Sequence, residues 1–357
     1  MTFDLKSLVR PNIRNLKPYS SARSEFEGSA EVFLDANENA FGSPAGSGLN
    51  RYPDPLQRKL KDRIAAMKGV SPSQIFVGNG SDEAIDLLFR IFCEPGRDEV
   101  ITCPPTYGMY RVSADINDVA VREIQLTDEF QLDVPAILSG ISDATKLIFI
   151  CSPNNPTGNL MNRDSVLEIA HQFKGIVVVD EAYIDFADEP SMIAKISSLP
   201  NLVVLQTFSK AWGMAGVRVG LAFASSEIID LMNRVKPPYN VSGIAQETVI
   251  DALDSESRIN SWITAAIEER KGLEKTLDSL SIVQKVYPSD TNFLLAKVDD
   301  AGQTYRYLID EKIVVRDRSS VQLCDGCLRI TVGTTAENRQ LVSALSRFDL
   351  GFVEKNS

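Results

Sequence analysis

The sequence predicts an α/β fold built on a largely parallel sheet. Short runs rich in Val, Ile and Leu, such as those at 146–150 and 176–179, alternate with longer stretches of helical periodicity. These runs lack a polar face, which is typical of parallel strands that helices cover on both sides. With 357 residues, the chain is longer than one hydrophobic core usually holds, so we expect a second domain.

The elements of the larger domain follow one another from about residue 55. A helix is expected over 57–67, then a strand over 74–77, a turn over 78–81 and a helix over 82–92. Further apolar runs predict the other strands of a seven-stranded sheet, at 100–102, 119–124, 146–150, 176–179, 202–205 and 219–223.

The last part of the chain predicts a smaller α+β domain. A long charged helix over 259–277 precedes shorter elements at 282–287, 292–296, 304–311, 313–315, 328–331 and 336–348. Residues 1–50, rich in Pro, Asn, Ser and Gly, are interpreted as an arm with a short strand at 32–34. We expect the arm to join the small domain, which gives boundaries of 1–50, 51–260 for the large domain and 261–357 for the small one.

Composition narrows the class of protein. The net charge of −11 disfavours a nucleic-acid binder, since such proteins usually carry a basic surface. No apolar run approaches the ~18–20 residues that span a bilayer, and the N-terminus lacks the basic-then-apolar order of a signal peptide. Five sparse cysteines, an odd number, fit free thiols in a reducing compartment. We therefore expect a cytoplasmic protein without nucleic-acid or membrane partners.

One lysine has the surroundings of a nucleophile. Lys210 follows the apolar run 202–205, and Ser209 and Arg218 lie close to it in sequence. A lysine that loses water has a lowered pKa and can form an imine with a carbonyl group. Ser209 and Arg218 could hold an anion beside it. This layout is the one that a pyridoxal phosphate enzyme needs.

A carboxylate ends another apolar run. Asp180 directly follows 176–179, where an unpaired charge would be costly, so a cation must meet it. A protonated pyridine nitrogen would serve, and Tyr183 could reach the phenolate oxygen of such a ring. The alternative is a carboxylate ligand for Mg²⁺. No phosphate loop with a Gly-Lys-Ser/Thr end accompanies it, which weakens a nucleotide-binding interpretation.

Two further turns follow predicted strands. Asn155 is held between prolines in the segment 152–158. Such a rigid turn suggests that the amide side chain of Asn155 is aimed at a ligand. Tyr107 follows the strand at 100–102 and could stack on a flat cofactor ring, or could be a tyrosine on the rim with a solvated hydroxyl.

The turn at 78–82 opens a predicted helix. Helix N-termini present free N–H groups and a positive dipole, so this turn could bind a phosphate. It could equally be an ordinary connection capped by Ser81 or Asp82.

Two arginines near the C-terminus are candidates for an anion site. Arg329 lies in an otherwise apolar strand, and a guanidinium is rarely buried without an anion. Arg316 is a weaker candidate. The alternative is a structural ion pair, in which Asp317 would simply pair with Arg318.

Other polar residues are set aside. Cys324 and Cys327 form a lone pair without a second pair or a nearby His, so we expect no metal site. His171, the single histidine, is expected on a solvated helix face, and no nucleophile elbow accompanies it.

Taken together, these motifs resemble the fold-type I pyridoxal phosphate-dependent aminotransferases of class I/II. Asn155, Asp180, Tyr183, Lys210 and Arg218 stand in the order and spacing of that family.

The chain resembles the histidinol-phosphate aminotransferase family most closely. Three segments outside the catalytic motifs carry this likeness, at 10–19, 34–44 and 50–57. Ala40 stands where the family usually has proline, which should only loosen a turn. The resemblance covers nearly the whole chain and implies a large domain with a mostly parallel seven-stranded sheet, and a small domain built from the arm and the C-terminal segment.

The resemblance implies roles for the candidate residues. Lys210 would form the imine and move a proton, Asp180 would hold the pyridine nitrogen protonated, and Tyr107 would stack on the ring. Asn155 and Tyr183 would bond its phenolate oxygen. The cofactor phosphate would lie against Gly80, Ser81, Asp82, Ser209 and Arg218, with Tyr52 from a neighbouring subunit.

The resemblance also implies a substrate and an assembly. A homodimer would exchange amino groups between L-histidinol phosphate and 2-oxoglutarate, giving imidazole acetol phosphate and L-glutamate in histidine biosynthesis. The substrate-binding residues would be Tyr19, Asn37, Glu38, Arg316 and Arg329. Aromatic amino-acid aminotransferases and pyridoxal phosphate-dependent phospho-amino-acid decarboxylases share most of the motifs and remain alternatives.

Overall fold

The structure, a computed structural model, describes residues 3–19, 23, 30–46 and 48–356, with side chains through residue 350. A seven-stranded sheet forms the centre of the larger part of the protein. Its strands in chain order are β1 (Ile75–Asn79), β2 (Glu99–Thr102), β3 (Ala120–Glu123), β4 (Thr145–Cys151), β5 (Ile176–Asp180), β6 (Leu202–Thr207) and β7 (Val219–Phe223).

The spatial order of the strands is β1-β7-β6-β5-β4-β2-β3. The pairs β2–β3, β2–β4, β4–β5 and β5–β6 are parallel, whereas β7 runs antiparallel to both β6 and β1. The predicted mostly parallel α/β sheet is therefore confirmed, with one reversed strand inside it. The carboxyl ends of β4, β5 and β6 meet at one edge, where α/β proteins bind their ligands.

Helices cover both faces of this sheet, as the apolar runs predict. Along β5, Val177 and Val179 join the core on one face, while Ile176 and Val178 join the core on the other. This alternation leaves no polar face on the strand. The flanking helices are α3 (Arg58–Lys68), α4 (Ser81–Phe92), α5 (Met109–Ile116), α6 (Val134–Gly140), α7 (Arg163–Gln172), α8 (Ser226–Val235) and α9 (Gly243–Leu253).

A second, antiparallel sheet has its own core. Its elements are α10 (Glu256–Asp278), β8 (Val283–Tyr287), β9 (Phe293–Val298), α11 (Ala301–Asp310), β10 (Arg316–Asp317), β11 (Cys327–Thr331) and α12 (Thr335–Asn356). The strand order is β10-β11-β9-β8, and leucines such as Leu294, Leu308 and Leu328 are fully or almost fully buried in this core.

One strand of this sheet starts later than the sequence predicts. The expected strand at 313–315 is wrong, because the turn that closes α11 reaches Ile313: Lys312 adopts a left-handed conformation and the Ile313 amide donates to the Leu308 carbonyl. Such a turn closes a helix C-terminus. Pairing with β11 begins only at Arg316.

The start of the arm packs on the large sheet. Two short helices, α1 (Leu5–Leu8) and α2 (Pro11–Arg14), bring Val9 and Ile13 into the core that includes α4, and the Arg10 amide donates to the Ile91 carbonyl at 3.0 Å. The short strand predicted at 32–34 is wrong, because the described backbone of these residues is not in strand conformation, and Val32 and Leu34 are exposed. Residues 20–22 and 24–29 of the predicted arm lie outside the described residues.

Candidate active site

A cavity of about 580 Å³ lies at the carboxyl ends of the parallel strands, with arginines from the small sheet on its far wall. It gathers most of the candidate residues, which come from segments far apart in sequence. Those lining it are Gly80, Ser81, Asp82, Tyr107, Asn155, Asp180, Tyr183, Ser209, Lys210, Arg218, Arg316 and Arg329.

Asp180 ends β5 at the floor of this cavity and is 3% exposed. Tyr110 donates its hydroxyl to Asp180 Oδ2 at 2.8 Å, and the Ala182 amide donates to Oδ1 at 3.1 Å. Burial raises the pKa of Asp180 to about 6, although these two hydrogen bonds oppose the rise. Both donors are neutral, so the carboxylate can still accept a cationic N–H group, as a pyridinium would supply.

Tyr110 is a site residue that the sequence interpretation missed. It is fully buried and stacks on Phe149 at 4.8 Å, which fixes its hydroxyl under Asp180. A second tyrosine three residues after Tyr107 was the available sequence signal, and the Tyr110 amide donates to the Tyr107 carbonyl at 3.4 Å.

Lys210 lies in the turn that follows β6. Phe208 and Trp212 anchor this turn in the core with ring centroids 5.3 Å apart, while Lys210 extends into the cavity. Its Nζ is 5.3 Å from the centroid of the Tyr183 ring. Partial desolvation by the cavity walls lowers the pKa of Lys210, and the positive charge of Arg329 lowers it further. Both effects favour the neutral amine that nucleophilic attack requires.

The first turn of α4 forms an anion cradle with β7. Gly80 caps the helix with a φ of 76° and donates its amide to the Arg218 carbonyl at 2.9 Å. A Cβ on Gly220 would lie 2.1 Å from the Ser81 amide nitrogen, so only glycine allows this approach. The helix N-terminus thus faces the cavity without an intervening side chain, and Arg218 lies beside it, as a phosphate site requires.

Tyr107 lies at the edge of this cradle. Its hydroxyl donates to Asp82 Oδ1 at 3.1 Å, and its ring meets the Tyr110 ring edge-on at 84°. Burial first, and then the negative charge of Asp82, raise the pKa of Tyr107, so the phenol stays protonated. The position leaves the ring on the cavity wall.

Asn155 connects the two sheets. Arg329 Nη1 donates to Asn155 Oδ1 at 2.5 Å, and Asn155 Nδ2 donates to the Tyr183 hydroxyl at 3.5 Å. Burial raises the pKa of Tyr183, and the positive charge of Arg329 opposes that rise. Tyr183 and Asn155 therefore present polar groups at one point of the cavity, where they could hold a ring oxygen.

Three arginines line the far wall: Arg316 and Arg329, which the sequence singles out, and Arg318, which it assigned to a structural pair. The structure does not form that pair, because Asp317 instead accepts hydrogen bonds from the amide and hydroxyl of Ser319. Arg318 is the second site residue that the sequence interpretation missed.

Four candidate residues lie outside the cavity lining: Tyr19, Asn37, Glu38 and Tyr52. Tyr19 is 76% exposed, and Tyr52 is half exposed and stacks on Tyr239 with 4.5 Å between centroids. The Glu38 carboxylate accepts hydrogen bonds from Arg23, from Arg51 and from the Tyr52 amide. The structure of the single chain does not bring these residues to Lys210.

The histidine and the cysteine pair for which the sequence predicts no catalytic or metal-binding role do not line the cavity. His171 is exposed in the last turn of α7, and Cys324 and Cys327 are buried free thiols. Within the described residues, no three His, Cys, Asp or Glu side chains are grouped to hold a metal ion. No helix in that part of the chain has both the length and the apolar character needed to cross a bilayer.

The known proteins that this chain resembles in sequence are aminotransferases. The family profile described as aminotransferase class I and II matches residues 24–345. A histidinol-phosphate aminotransferase from Parabacteroides distasonis is 54% identical over 347 residues, which cover 97% of this chain and 99% of that protein. The protein of the same name from Cytophaga hutchinsonii is 52% identical and is matched along its full length.

Solved structures agree on the fold. The histidinol-phosphate aminotransferase from Clostridium acetobutylicum matches with a TM-score of 0.79 and 25% identity, covering 85% of this chain and 92% of that one. The enzyme of that name from Sinorhizobium meliloti, solved in complex with pyridoxal 5'-phosphate, matches with a TM-score of 0.78 and 24% identity, covering 89% of this chain and 90% of that one.

The fold and the site are those of a class I and II aminotransferase of fold type I. With relatives of about half-identical sequence over nearly its whole length, the chain belongs to the histidinol-phosphate aminotransferase family.

Proposed function

We propose that this chain exchanges an amino group between L-histidinol phosphate and 2-oxoglutarate, giving imidazole acetol phosphate and L-glutamate in histidine biosynthesis. The observation that carries the proposal is one cavity with a lysine of lowered pKa, a buried acceptor carboxylate and a helix N-terminal anion cradle, opposite a wall of arginines. The names of the relatives supply the substrate.

The residues present fit pyridoxal 5'-phosphate. The glycine-lined cradle of Gly80 and Ser81, with Asp82, Ser209 and Arg218, matches a phosphate. Asp180 would hold the pyridine nitrogen protonated, Asn155 and Tyr183 would hold the ring oxygen, and Tyr107 would cover the ring. When bound through Lys210, the cofactor supplies an electron sink for the amino-group exchange in two half-reactions.

Side chains of the protein would carry out the proton transfer and position the substrate. Lys210 in its neutral form would accept the proton that leaves the substrate Cα and, once protonated, would give a proton back to complete the exchange. Asp180, as a carboxylate, would accept a hydrogen bond from the pyridine N–H of the cofactor and so keep that nitrogen protonated. Arg316 and Arg329 orient the anionic end of each substrate, which sets the Cα proton within reach of the lysine.

We propose that the enzyme is a homodimer in which Tyr52 and Tyr19 reach the partner's site, while Asn37 and Glu38 line the side-chain end of the substrate pocket. The exposed apolar side chains on the arm support this, since Leu34 is 85% exposed and Phe41 is fully exposed. We also propose the cytoplasm as its location, and 1–50, 51–260 and 261–357 as the arm, large domain and small domain.

A spectral half-reaction tests the catalytic proposal. Holoenzyme mixed with histidinol phosphate alone should lose the imine absorbance of the bound cofactor, and later addition of 2-oxoglutarate should restore it. Lys210→Ala should abolish the imine band and turnover. No spectral change with histidinol phosphate, or an equal kcat/KM for phenylalanine, would contradict the substrate. Release of CO₂ from threonine phosphate would favour the decarboxylase alternative.

The dimer has its own test. Tyr52→Ala and Lys210→Ala remove contributions that different subunits make to one site. In a 1:1 mixture that re-associates at random, about half of the dimers are hybrids, and each hybrid has one intact site of two. The mixture should therefore regain about a quarter of the wild-type activity. A monomer at assay concentration, or no recovery in the mixture, would refute shared sites.

A further inference from the structure

Three guanidinium groups are placed on one face of the small sheet. Arg316 lies directly opposite Arg329 in the β10–β11 register. Arg318 is two residues further along, and its amide continues the ladder by donating to the Cys327 carbonyl at 2.8 Å. Because side chains two apart on a strand share a face, Arg318 projects on the same side as the other two. We refer to Arg316, Arg318 and Arg329 as the arginine cluster.

Among the described residues, no carboxylate neutralises this cluster. Asp317 projects to the opposite face and accepts from Ser319, and the hydrogen bond of Arg329 goes to the neutral amide of Asn155. The Nε atoms of Arg318 and Arg329 are buried without a hydrogen-bond partner. In the described part of the chain, none of the three forms an ion pair.

This arrangement is unfavourable without a bound anion. Burial lowers the pKa of Arg318, and the neighbouring charge of Arg316 lowers it further. Arg329 is affected in the same way, by burial and then by the positive charges of Arg318 and Arg316. Like charges opposite one another on adjacent strands destabilise a sheet. In a chain of net charge −11, such a cluster is best explained by an anionic ligand.

The number of donors indicates which anion. A carboxylate has one charge and two oxygens, which a single guanidinium fork can engage. A phosphate monoester carries a charge of about −1.5 to −2 near neutral pH and offers three acceptor oxygens. Three convergent guanidinium groups match the second anion better than the first.

We propose that Arg318 is a specificity-determining residue that contacts the phosphate of the substrate and makes the site prefer a phosphate monoester to a carboxylate. This inference rests on the proposed function. Arg316 and Arg329 serve both half-reactions, whereas Arg318 acts in the one whose substrate carries the phosphate.

The test compares the two half-reactions in the holoenzyme. Arg318→Gln should lower kcat/KM for histidinol phosphate by about 10- to 100-fold, as expected for the loss of one charged contact. The glutamate half-reaction should fall by ~3-fold or less, because its carboxylate needs fewer donors. Inorganic phosphate, as a competitive inhibitor of the glutamate half-reaction, should bind at least ~10-fold more weakly to the variant.

Two matched variants separate binding from folding. Arg318→Lys keeps the charge but not the fork, so it should recover part of the phosphate preference. Arg339 is exposed on α12, a helix whose buried apolar side chains belong to the core of the small sheet. Arg339→Gln removes one positive charge there and should leave both half-reactions unchanged. Each variant is first compared with the wild type in cofactor absorbance and unfolding midpoint.

Equal losses in both half-reactions, or an unchanged inhibition constant for phosphate, would overturn the role of Arg318. A wild-type enzyme that does not react with histidinol phosphate would instead refute the proposed function. In that event, the phosphate inhibition constants of wild type and Arg318→Gln still decide whether Arg318 binds the anion.

Discussion

The close approach of β7 to the first turn of α4 makes Gly220→Ala a demanding test of the anion cradle. The added Cβ would lie 2.1 Å from the Ser81 nitrogen and 2.3 Å from the Gly80 carbonyl carbon. The first distance is 1.3 Å shorter than the 3.4 Å at which ordinary contact begins. Because both neighbours are backbone atoms, a side-chain rotation cannot relieve the clash, and the helix N-terminus must move.

The expected cost follows from that displacement. Overpacking a core costs about 1–3 kcal/mol, and a clash with backbone belongs at the upper end, so we expect a loss of about 3 kcal/mol in the free energy of unfolding. A cradle moved by about 1 Å should also weaken pyridoxal phosphate binding by ~10-fold or more, since small misplacements are costly in a directed site. Urea unfolding of the apoenzyme and a fluorescence titration with the cofactor measure the two effects.

Gly216→Ala is the matched control. Gly216 lies four residues earlier, in the turn Ala215–Val217, and a Cβ there meets nothing within 4 Å. Its substitution should leave stability within about 1 kcal/mol of the wild type and cofactor affinity unchanged. If Gly220→Ala matched this control in both measurements, the argument that only glycine permits the cradle would be refuted.

Two other substitutions follow from buried hydrogen bonds. Tyr110→Phe removes a donor to Asp180, and a charged hydrogen bond of about 1.5–3 kcal/mol corresponds to a pKa rise of about one to two units. Because the carboxyl would then be protonated near neutral pH, the pH below which cofactor affinity falls should move up by that amount; an unchanged midpoint would contradict the role of Tyr110. Asn201→Ala removes an amide that donates to the carbonyls of Ala170, Phe173 and Gly175, so unfolding in urea should show a loss of about 2–4 kcal/mol. The kcat of the folded variant should not change, because Asn201 lies at the amino end of β6, and a loss in kcat would count against this separation.

The sequence predicted the large sheet well because each strand carries its own pattern. The helix expected at 57–67 is shifted by one residue, and the runs at 176–179 and 202–205 became the two central strands. The direction of β7 could not be predicted, because an apolar run contains no information on which way it crosses the sheet. The strand expected at 32–34 failed for a related reason: three consecutive apolar residues on an arm look like a strand, but the described backbone there does not adopt one.

The site was predictable where a polar residue lies at the end of a strand or in the turn that follows it. Asp180 ends β5, Asn155 and Lys210 lie in the turns after β4 and β6, and the structure brings the three to one cavity. Tyr110 was missed because its role depends on the depth of a helix beneath the sheet, which spacing alone does not give. Arg318 was missed because the adjacent Asp317 appeared sufficient to neutralise its charge. Neighbouring side chains on a strand point to opposite faces, so the two groups are separated.

The hydrogen bond between Arg329 and Asn155 joins residues 174 positions apart in the chain. Contacts of such long range form late, since the loop they close is entropically costly before other contacts support it. Each sheet has one core of its own and can acquire secondary structure before this bond exists, whereas Phe293 and Leu295 of β9 belong to a core that the two sheets share. During refolding, the recovery of helix and strand content should therefore precede the recovery of activity. The return of activity then measures when the two sheets pack against each other.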